Sequence, residues 1–146
     1  SEMEALKNLP IKFVTFKTEK TALNNTILCN DEIAFVSKEY TKEEVKQIKD
    51  ALGVKVVQID IAETSLPGSC GVLTNKGAIF NPLASDDEVK KIEKELGKEV
   101  GLGTSNLGNN FVSTGLMANS KGFIIGKLTS GHEIMRIDES LRLIWF

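Results

Sequence analysis

The chain offers few side chains for catalysis: two cysteines and one histidine. Cys29 and Cys70 each lie in an apolar run, which predicts that both thiols are buried as small hydrophobic side chains. His132 follows Ser130 by two residues, in the first turn of a predicted helix, where we expect it to face solvent. One histidine also excludes metal sites built on two or three imidazoles. The sequence therefore predicts no catalytic residue, no bound metal and no cofactor.

Composition and charge are those of one ordinary globular domain. The 146 residues are 41% hydrophobic and 26% charged, and 18 basic against 20 acidic residues leave a formal charge of −2. Such a balance provides no basic field for nucleic-acid phosphates, so any RNA contact would be local. Neither a signal peptide nor an apolar run long enough to span a membrane is recognisable, which predicts a cytoplasmic location with reduced thiols.

A helix-start signal recurs every 44 to 45 residues. It is the capping box, in which a Ser or Thr and a glutamate three residues later satisfy free backbone amides. The boxes are Thr41 with Glu44, Ser85 with Glu88, and Ser130 with Glu133. Apolar residues follow at helical spacing, which predicts three amphipathic helices that pack by one face. These residues are Val45, Ile48 and Leu52, then Val89, Ile92 and Leu96, then Ile134, Ile137 and Leu141.

Predicted strands surround each helix. Hairpin turns led by Asn30, Asn75 and Asn119 join strands predicted at 26–29 and 33–36, 72–74 and 78–80, and 111–118 and 123–125. Gly53 and Gly97 predict left-handed helix ends, followed by strands at 54–57 and 99–102. A helix near the N-terminus and a strand at 11–16 resemble the second half of one further unit. The prediction is an α+β domain of ββαβ repeats, divided as 1–20 (partial), 21–64, 65–104 and 105–146.

Three joints rich in Gly, Asn and Ser lead into the hairpins, at 23–25, 66–69 and 106–110. Equivalent joints of a repeat protein gather on one face, and loops carry binding residues more often than strands do. We therefore expect a binding face formed by Asn25, Gly68, Ser69, Asn106, Gly108 and Asn110. The helix lysines alternate with acidic residues, which predicts a solvated outer rim of Lys42, Lys46, Lys49, Lys90, Lys91 and Lys94.

The joint and turn sequences carry a resemblance. Thr-Ala-Leu-Asn-Asn at 21–25, Leu-Pro-Gly-Ser at 66–69 and Gly-Thr-Ser-Asn-Leu-Gly at 103–108 occur in the order found in the translation initiation factor 6 family. The turns at 29–31, 74–77 and 117–122 continue the match over essentially the whole chain. Asn24 stands where a glycine is usual, which makes the backbone there less free. No long acidic tail follows, so the chain resembles the archaeal form. It corresponds to the C-terminal three-fifths of such a protein.

The resemblance implies a pentein-type fold, in which ββαβ units surround a pseudo-fivefold axis. It also implies a ribosome anti-association factor that binds the large ribosomal subunit and blocks joining by the small subunit. The contact would be to a ribosomal protein, with or without local contact to ribosomal RNA, and no membrane is involved. Three units and a remnant do not close a fivefold ring, so we expect preceding repeats or a second chain to complete it.

The residues leave two other functions open. Pentein folds also support enzymes that modify guanidino groups, which require a reactive cysteine together with a histidine and acidic residues. A repeat module that binds a non-ribosomal protein would equally use the exposed joints.

Overall fold

Three eleven-residue helices each begin one residue after the Ser or Thr of a predicted capping box. The structure is a computed structural model that describes residues 2–143, with the side chain of Glu2 excepted. The helices are α3 (Lys42–Leu52), α5 (Asp86–Leu96) and α6 (Gly131–Leu141), and both halves of each capping box form. Gly53 and Gly97 end the first two in the left-handed conformation, as predicted, and Arg142 takes that position in the third.

The remaining elements are short and recur in the same order, which confirms the α+β class. A short helix, two strands and a long helix follow one another three times, and a third strand follows the first two long helices. The short helices are α1 (Glu2–Leu6), α2 (Leu23–Thr26), α4 (Pro67–Cys70) and a 3₁₀ helix (Val112–Gly115). The strands are β1 (Ile27–Cys29), β2 (Ile33–Val36), β3 (Lys55–Gln58), β4 (Gly71–Leu73), β5 (Ala78–Phe80), β6 (Gly101–Leu102), β7 (Leu116–Ala118) and β8 (Phe123–Ile125).

The strands form three small sheets. In the first sheet β2 is central, antiparallel to β1 and parallel to β3. The second sheet repeats this arrangement with β4, β5 and β6, and in the third β7 pairs antiparallel with β8. A parallel third strand requires a crossover, and the long helix supplies it.

Three predictions about local structure are wrong. Residues 11–16 form no strand, because no neighbouring strand pairs with them among the described residues. The strand predicted at 111–118 begins only at Leu116, because Thr114 and Phe111 are hydrogen-bonded within a 3₁₀ turn. The first two joints are not loops but the short helices α2 and α4.

The central strands β2 and β5 are buried on both faces. The long helix of the same unit covers one face, and the long helix of the next unit covers the other. In β2, Ile33 and Phe35 pack in one apolar cluster with Ile92 of α5. Ala34 and Val36, which point the other way, pack with Ile48 of α3. Alternate side chains of a strand point to opposite faces, so one strand serves two cores. Likewise Ile79 of β5 packs on α6, while Ala78 and Phe80 join the cluster around α5.

Equivalent positions of successive units also hydrogen-bond to each other. In the hairpin turns, Asn30 donates to the Thr74 carbonyl, and Asn75 pairs with both the backbone amide and the carboxylate of Asp31. At the other end, the Ser113 hydroxyl donates to the Ser69 carbonyl at 2.9 Å. Every one of these pairs is 44 residues apart in sequence, which is the repeat length.

The long helices are surface elements with one apolar face. Ile48, Ile92 and Ile137, central residues of the predicted faces, are all buried, and the rim lysines are exposed. Among the described residues, no helix has the length and apolar character needed to cross a membrane.

Two equivalent turn glycines provide a test of packing between the second and third units. A Cβ on Gly77 would lie 2.2 Å from the Ser140 carbonyl oxygen of α6, whereas nothing lies within 4 Å of a Cβ on Gly122. We expect Gly77→Ala to lower the free energy of unfolding by about 1–3 kcal/mol through overpacking. Gly122→Ala should change it by less than about 1 kcal/mol, in the stabilising direction. Urea unfolding measures both, and equal effects would contradict the packing described.

Candidate functional site

The capping-box glutamates hold the joints as well as the helix starts. Besides its own N-cap amide, each carboxylate accepts a hydrogen bond from a residue 26 positions earlier in the chain. The donors are the Thr18 hydroxyl to Glu44, the Ala62 amide to Glu88 and the Leu107 amide to Glu133. The turns that precede the short helices therefore lie beside the N-termini of the long helices. We call this end of the molecule, with its turns, short helices and helix N-termini, the joint end.

Glu133 makes the most extensive of these contacts. Its carboxylate accepts from Thr104, from the amides of Leu107 and Gly108, and from the amide of Ser130, at 2.7–3.3 Å. Partial burial raises the pKa of Glu133, but the hydrogen bonds from Thr104, Ser130 and Gly108 outweigh it and lower the pKa from 4.5 to about 2. The charged carboxylate of Glu133 therefore holds the last turn through these hydrogen bonds.

That turn has three successive residues in the left-handed region, Asn106, Leu107 and Gly108, with φ of 48°, 59° and 91°. The equivalent turn of the preceding unit has only two, Ala62 and Glu63. Backbone hydrogen bonds between Ser105 and Asn109 close the last turn, and those between Ile61 and Thr64 close the equivalent turn of the preceding unit. Non-glycine residues rarely adopt this conformation, so the surrounding contacts must offset its cost.

Three predicted site residues lie in this last turn, with different roles. The Asn106 side chain points inward, because its atoms lie where a Cβ on Gly115 or Gly126 would fall. The backbone amide of Asn106 donates a hydrogen bond to the Thr129 hydroxyl. Gly108 is exposed and donates its amide to Glu133. Asn110 is half-buried.

The other three predicted residues lie in the short helices, which pack on one another. Asn25 of α2 is exposed, whereas Gly68 and Ser69 of α4 are buried. A Cβ on Gly68 would lie 1.9 Å from the Asn24 carbonyl oxygen, so this glycine allows α4 to approach α2. Ser69 is bonded through its carbonyl to Ser113 of the 3₁₀ helix. Binding by these six residues stays a prediction, and of the six Asn25 and Gly108 are the exposed ones.

One expectation about the thiols is wrong. Cys70 is buried as predicted, but the Cys29 side chain is exposed, because successive residues of β1 face opposite ways and Leu28, not Cys29, points into the core. Desolvation and, less strongly, the Asp31 carboxylate raise the pKa of Cys29, and desolvation also raises that of Cys70. Both shifts favour the unreactive thiol. His132 is exposed, as expected. Within the described residues, no three His, Cys, Asp or Glu side chains could share a metal ion.

Sequence reasoning did not identify the apolar character of the joint end. Charged residues are absent from 21–30, from 64–75 and from 100–120, the last being the longest uncharged run in the chain. Large apolar side chains are nevertheless exposed at the joint end. They are Leu66, Leu107 and Phe111 within these runs, and Leu83 and Leu128 just before α5 and α6. The positions of the charged residues provided a signal, because the uncharged segments contain the three joints and the first strand of each hairpin. Such a surface can dock on a protein by apolar contact and hydrogen bonds.

Comparison with known proteins gives consistent matches. A sequence model of the eIF-6 family matches residues 1–140. Similar proteins are the translation initiation factor 6 of Pyrococcus abyssi, 41% identical over 99% of the chain, and that of Methanocaldococcus jannaschii, 41% identical over 94%. The chain covers 66% of the length of the first relative and 60% of the second, so it spans less than two thirds of each.

Removing the negative charge of Glu133 tests its hold on the last turn. We expect Glu133→Gln to lower the free energy of unfolding at pH 7 by about 1–3 kcal/mol, because charge-assisted hydrogen bonds to the turn are lost. The control Glu43→Gln removes an exposed carboxylate from the first turn of α3 and should have a much smaller effect. Urea unfolding of both variants makes the comparison, and an equal loss in both would contradict this role.

The pH dependence of stability gives a second readout. Because folding lowers the pKa of Glu133 from 4.5 to about 2, its contribution is complete above pH 4.5 and is lost as the pH falls towards 2. We therefore expect the parent chain to lose more stability than Glu133→Gln between those limits. The measurement is the free energy of unfolding of both proteins as the pH is lowered. An equal loss of stability in the two would argue against the lowered pKa.

Proposed function

Because the chain belongs to the eIF-6 family, we propose that it binds the large ribosomal subunit and blocks joining by the small subunit. The observation that carries this proposal is the set of uncharged segments 21–30, 64–75 and 100–120 at the joint end, with the exposed apolar side chains of Leu66, Leu107 and Phe111. It gives the chain one surface suited to docking on a larger body. The family's relatives, named translation initiation factors, support a role in translation.

The proposal includes the arrangement of the chain. Contacts between equivalent residues 44 positions apart support units that succeed one another around an axis, as in a pentein-type fold. The proposed units are residues 1–20, 21–64, 65–104 and 105–146. We place the protein in the cytoplasm, with the ribosomes that it would bind.

The proposed activity is steric rather than catalytic. The raised pKa values of both thiols support this, since a guanidino-modifying enzyme requires a reactive thiolate. The burial of Cys70, whose sulfur lies 3.5 Å from the Ile61 carbonyl oxygen, also keeps that thiol away from a substrate.

The proposed partner surface is a ribosomal protein. The net charge of −2 and the uncharged joint segments give little attraction for the phosphates of ribosomal RNA. Six of the 18 cationic side chains lie on the helix rim, where acidic residues lie between them. An RNA-binding face would require the lysines without those acids.

Charge placed at the joint end should weaken binding. We expect Asn25→Arg, at an exposed position of α2, to raise the Kd for purified large subunits about tenfold, because a charge must be desolvated at the contact. The control is the rim pair Lys46→Glu and Lys91→Glu, which should bind as the parent chain does. Cosedimentation measures all three, and loss of binding only in the rim variant would show that the joint end is the wrong surface.

Substitution of the exposed candidate groups tests the steric mechanism. We expect Cys29→Ser and His132→Gln to block subunit joining as well as the parent chain, since neither side chain has a chemical role. The measurement is the fraction of joined ribosomes in a sucrose gradient after mixing the subunits with each protein. Lost inhibition in a folded variant that still binds the large subunit would instead indicate chemistry at that side chain.

A further inference from the structure

Leu107 is a large apolar side chain held out into solvent by a constrained backbone. It is 70% exposed, it lies in the left-handed region at φ 59°, and its amide is bonded to Glu133. A flexible loop could turn such a side chain inward. Here the Glu133 carboxylate accepts hydrogen bonds from the backbone amides of both Leu107 and Gly108 and holds the turn in place. The structure therefore fixes an exposed leucine in one position at a cost in backbone energy.

The tip of this turn also contains an extra residue. Ile61 and Ser105 are 44 positions apart, whereas the turn closures at Thr64 and Asn109 are 45 apart. The repeat length thus changes within the turn itself, where Gly108 adds a third left-handed residue. The longer turn carries Leu107 at the position that Glu63 occupies in the preceding unit.

The exposure of Leu107 is a property of the turn and not of a missing neighbour. Glu63, its equivalent, is exposed although units lie on both sides of it. The exposed pair Met117 and Ile124 differs in this respect: their equivalents Val72 and Ile79 are buried, so that face is where units pack. Leu107 is thus on the outer surface of the repeat.

The surroundings of Leu107 select the kind of partner. Its run, residues 100–120, contains no charged side chain, and the Glu133 charge is taken up by four hydrogen bonds. Leu128, 54% exposed, follows on the neighbouring segment, next to Thr129, whose hydroxyl bonds the Asn106 amide. An uncharged surface with apolar projections suits an apolar recess of a protein and offers nothing to a phosphate backbone.

We propose that Leu107 is the apolar anchor of the joint end and inserts into a recess on a protein of the large ribosomal subunit. This inference rests on the proposed function and names the residue and the partner chemistry of that same site. Glu133 and Gly108 act as positioning residues, since they hold the turn that carries the anchor. Preorganisation of this kind improves affinity by reducing the entropy lost on binding.

Binding to purified archaeal large subunits tests the anchor. We expect Leu107→Glu to raise the Kd about 5- to 30-fold, the range for truncating or disrupting a central interface side chain. The fold should tolerate it, because Glu63 occupies the same turn position in the same backbone conformation. Leu107→Ala, which adds no charge, should raise the Kd in the same direction. The control is Lys46→Glu, which changes an exposed charge on the helix rim, outside the joint end, and should leave the Kd unchanged.

The identity of the partner follows from photocrosslinking with a diazirine analogue of leucine at position 107. Crosslinks from the bound chain to a ribosomal protein are expected, and crosslinks to ribosomal RNA would overturn the partner assignment. Parent-like binding by folded Leu107→Glu and Leu107→Ala would overturn the anchor but leave the proposed function standing. If the parent chain itself does not bind large subunits, the proposed function fails first.

Discussion

One carboxylate contact controls the geometry of each unit. The glutamate of a capping box is usually described as a local device that completes a helix start, but here it also accepts a hydrogen bond from a residue 26 positions earlier. The start of the long helix and the turn before the short helix thereby fix each other. Moving either one would leave a carboxylate or a backbone amide without its partner, which is costly when it is shielded from water. The turns and the long-helix starts of the joint end are therefore held to each other by these hydrogen bonds.

The second constraint is the double use of the central strands. Because β2 and β5 present alternate side chains to two different helices, no unit can complete its core alone. Small residues then set how closely the units approach. Gly68 admits the backbone of α2, and Gly77 admits the end of α6. Hydrogen bonds between equivalent positions align the units in register, so that short helices lie on short helices and turns on turns.

The sequence predicted what is decided within a few residues. Ser85 and Glu88 specify a helix start by local chemistry, and Gly97 specifies its end, so these boundaries are correct. Predictions that depended on neighbouring units did less well. The strand predicted at 11–16 pairs with no other strand among the described residues, and Cys29 lies in an apolar run but on the exposed face of β1. Leu107 was not predicted as a site residue, because an isolated leucine indicates core and only Gly108 signals the left-handed turn.

The sheets and the contacts between units differ in the chain length that each must close. The parallel partner of Ile33 is Lys55, so a sheet takes up its third strand within 22 residues, whereas the turns of adjacent units meet 44 residues apart. Doubling the length of a closed loop adds only about 0.6 kcal/mol of entropic cost. A sheet therefore closes over a shorter stretch of chain than the contacts between units do. Each unit can therefore assemble its sheet as it is synthesised and dock on the preceding unit while the next is still being made.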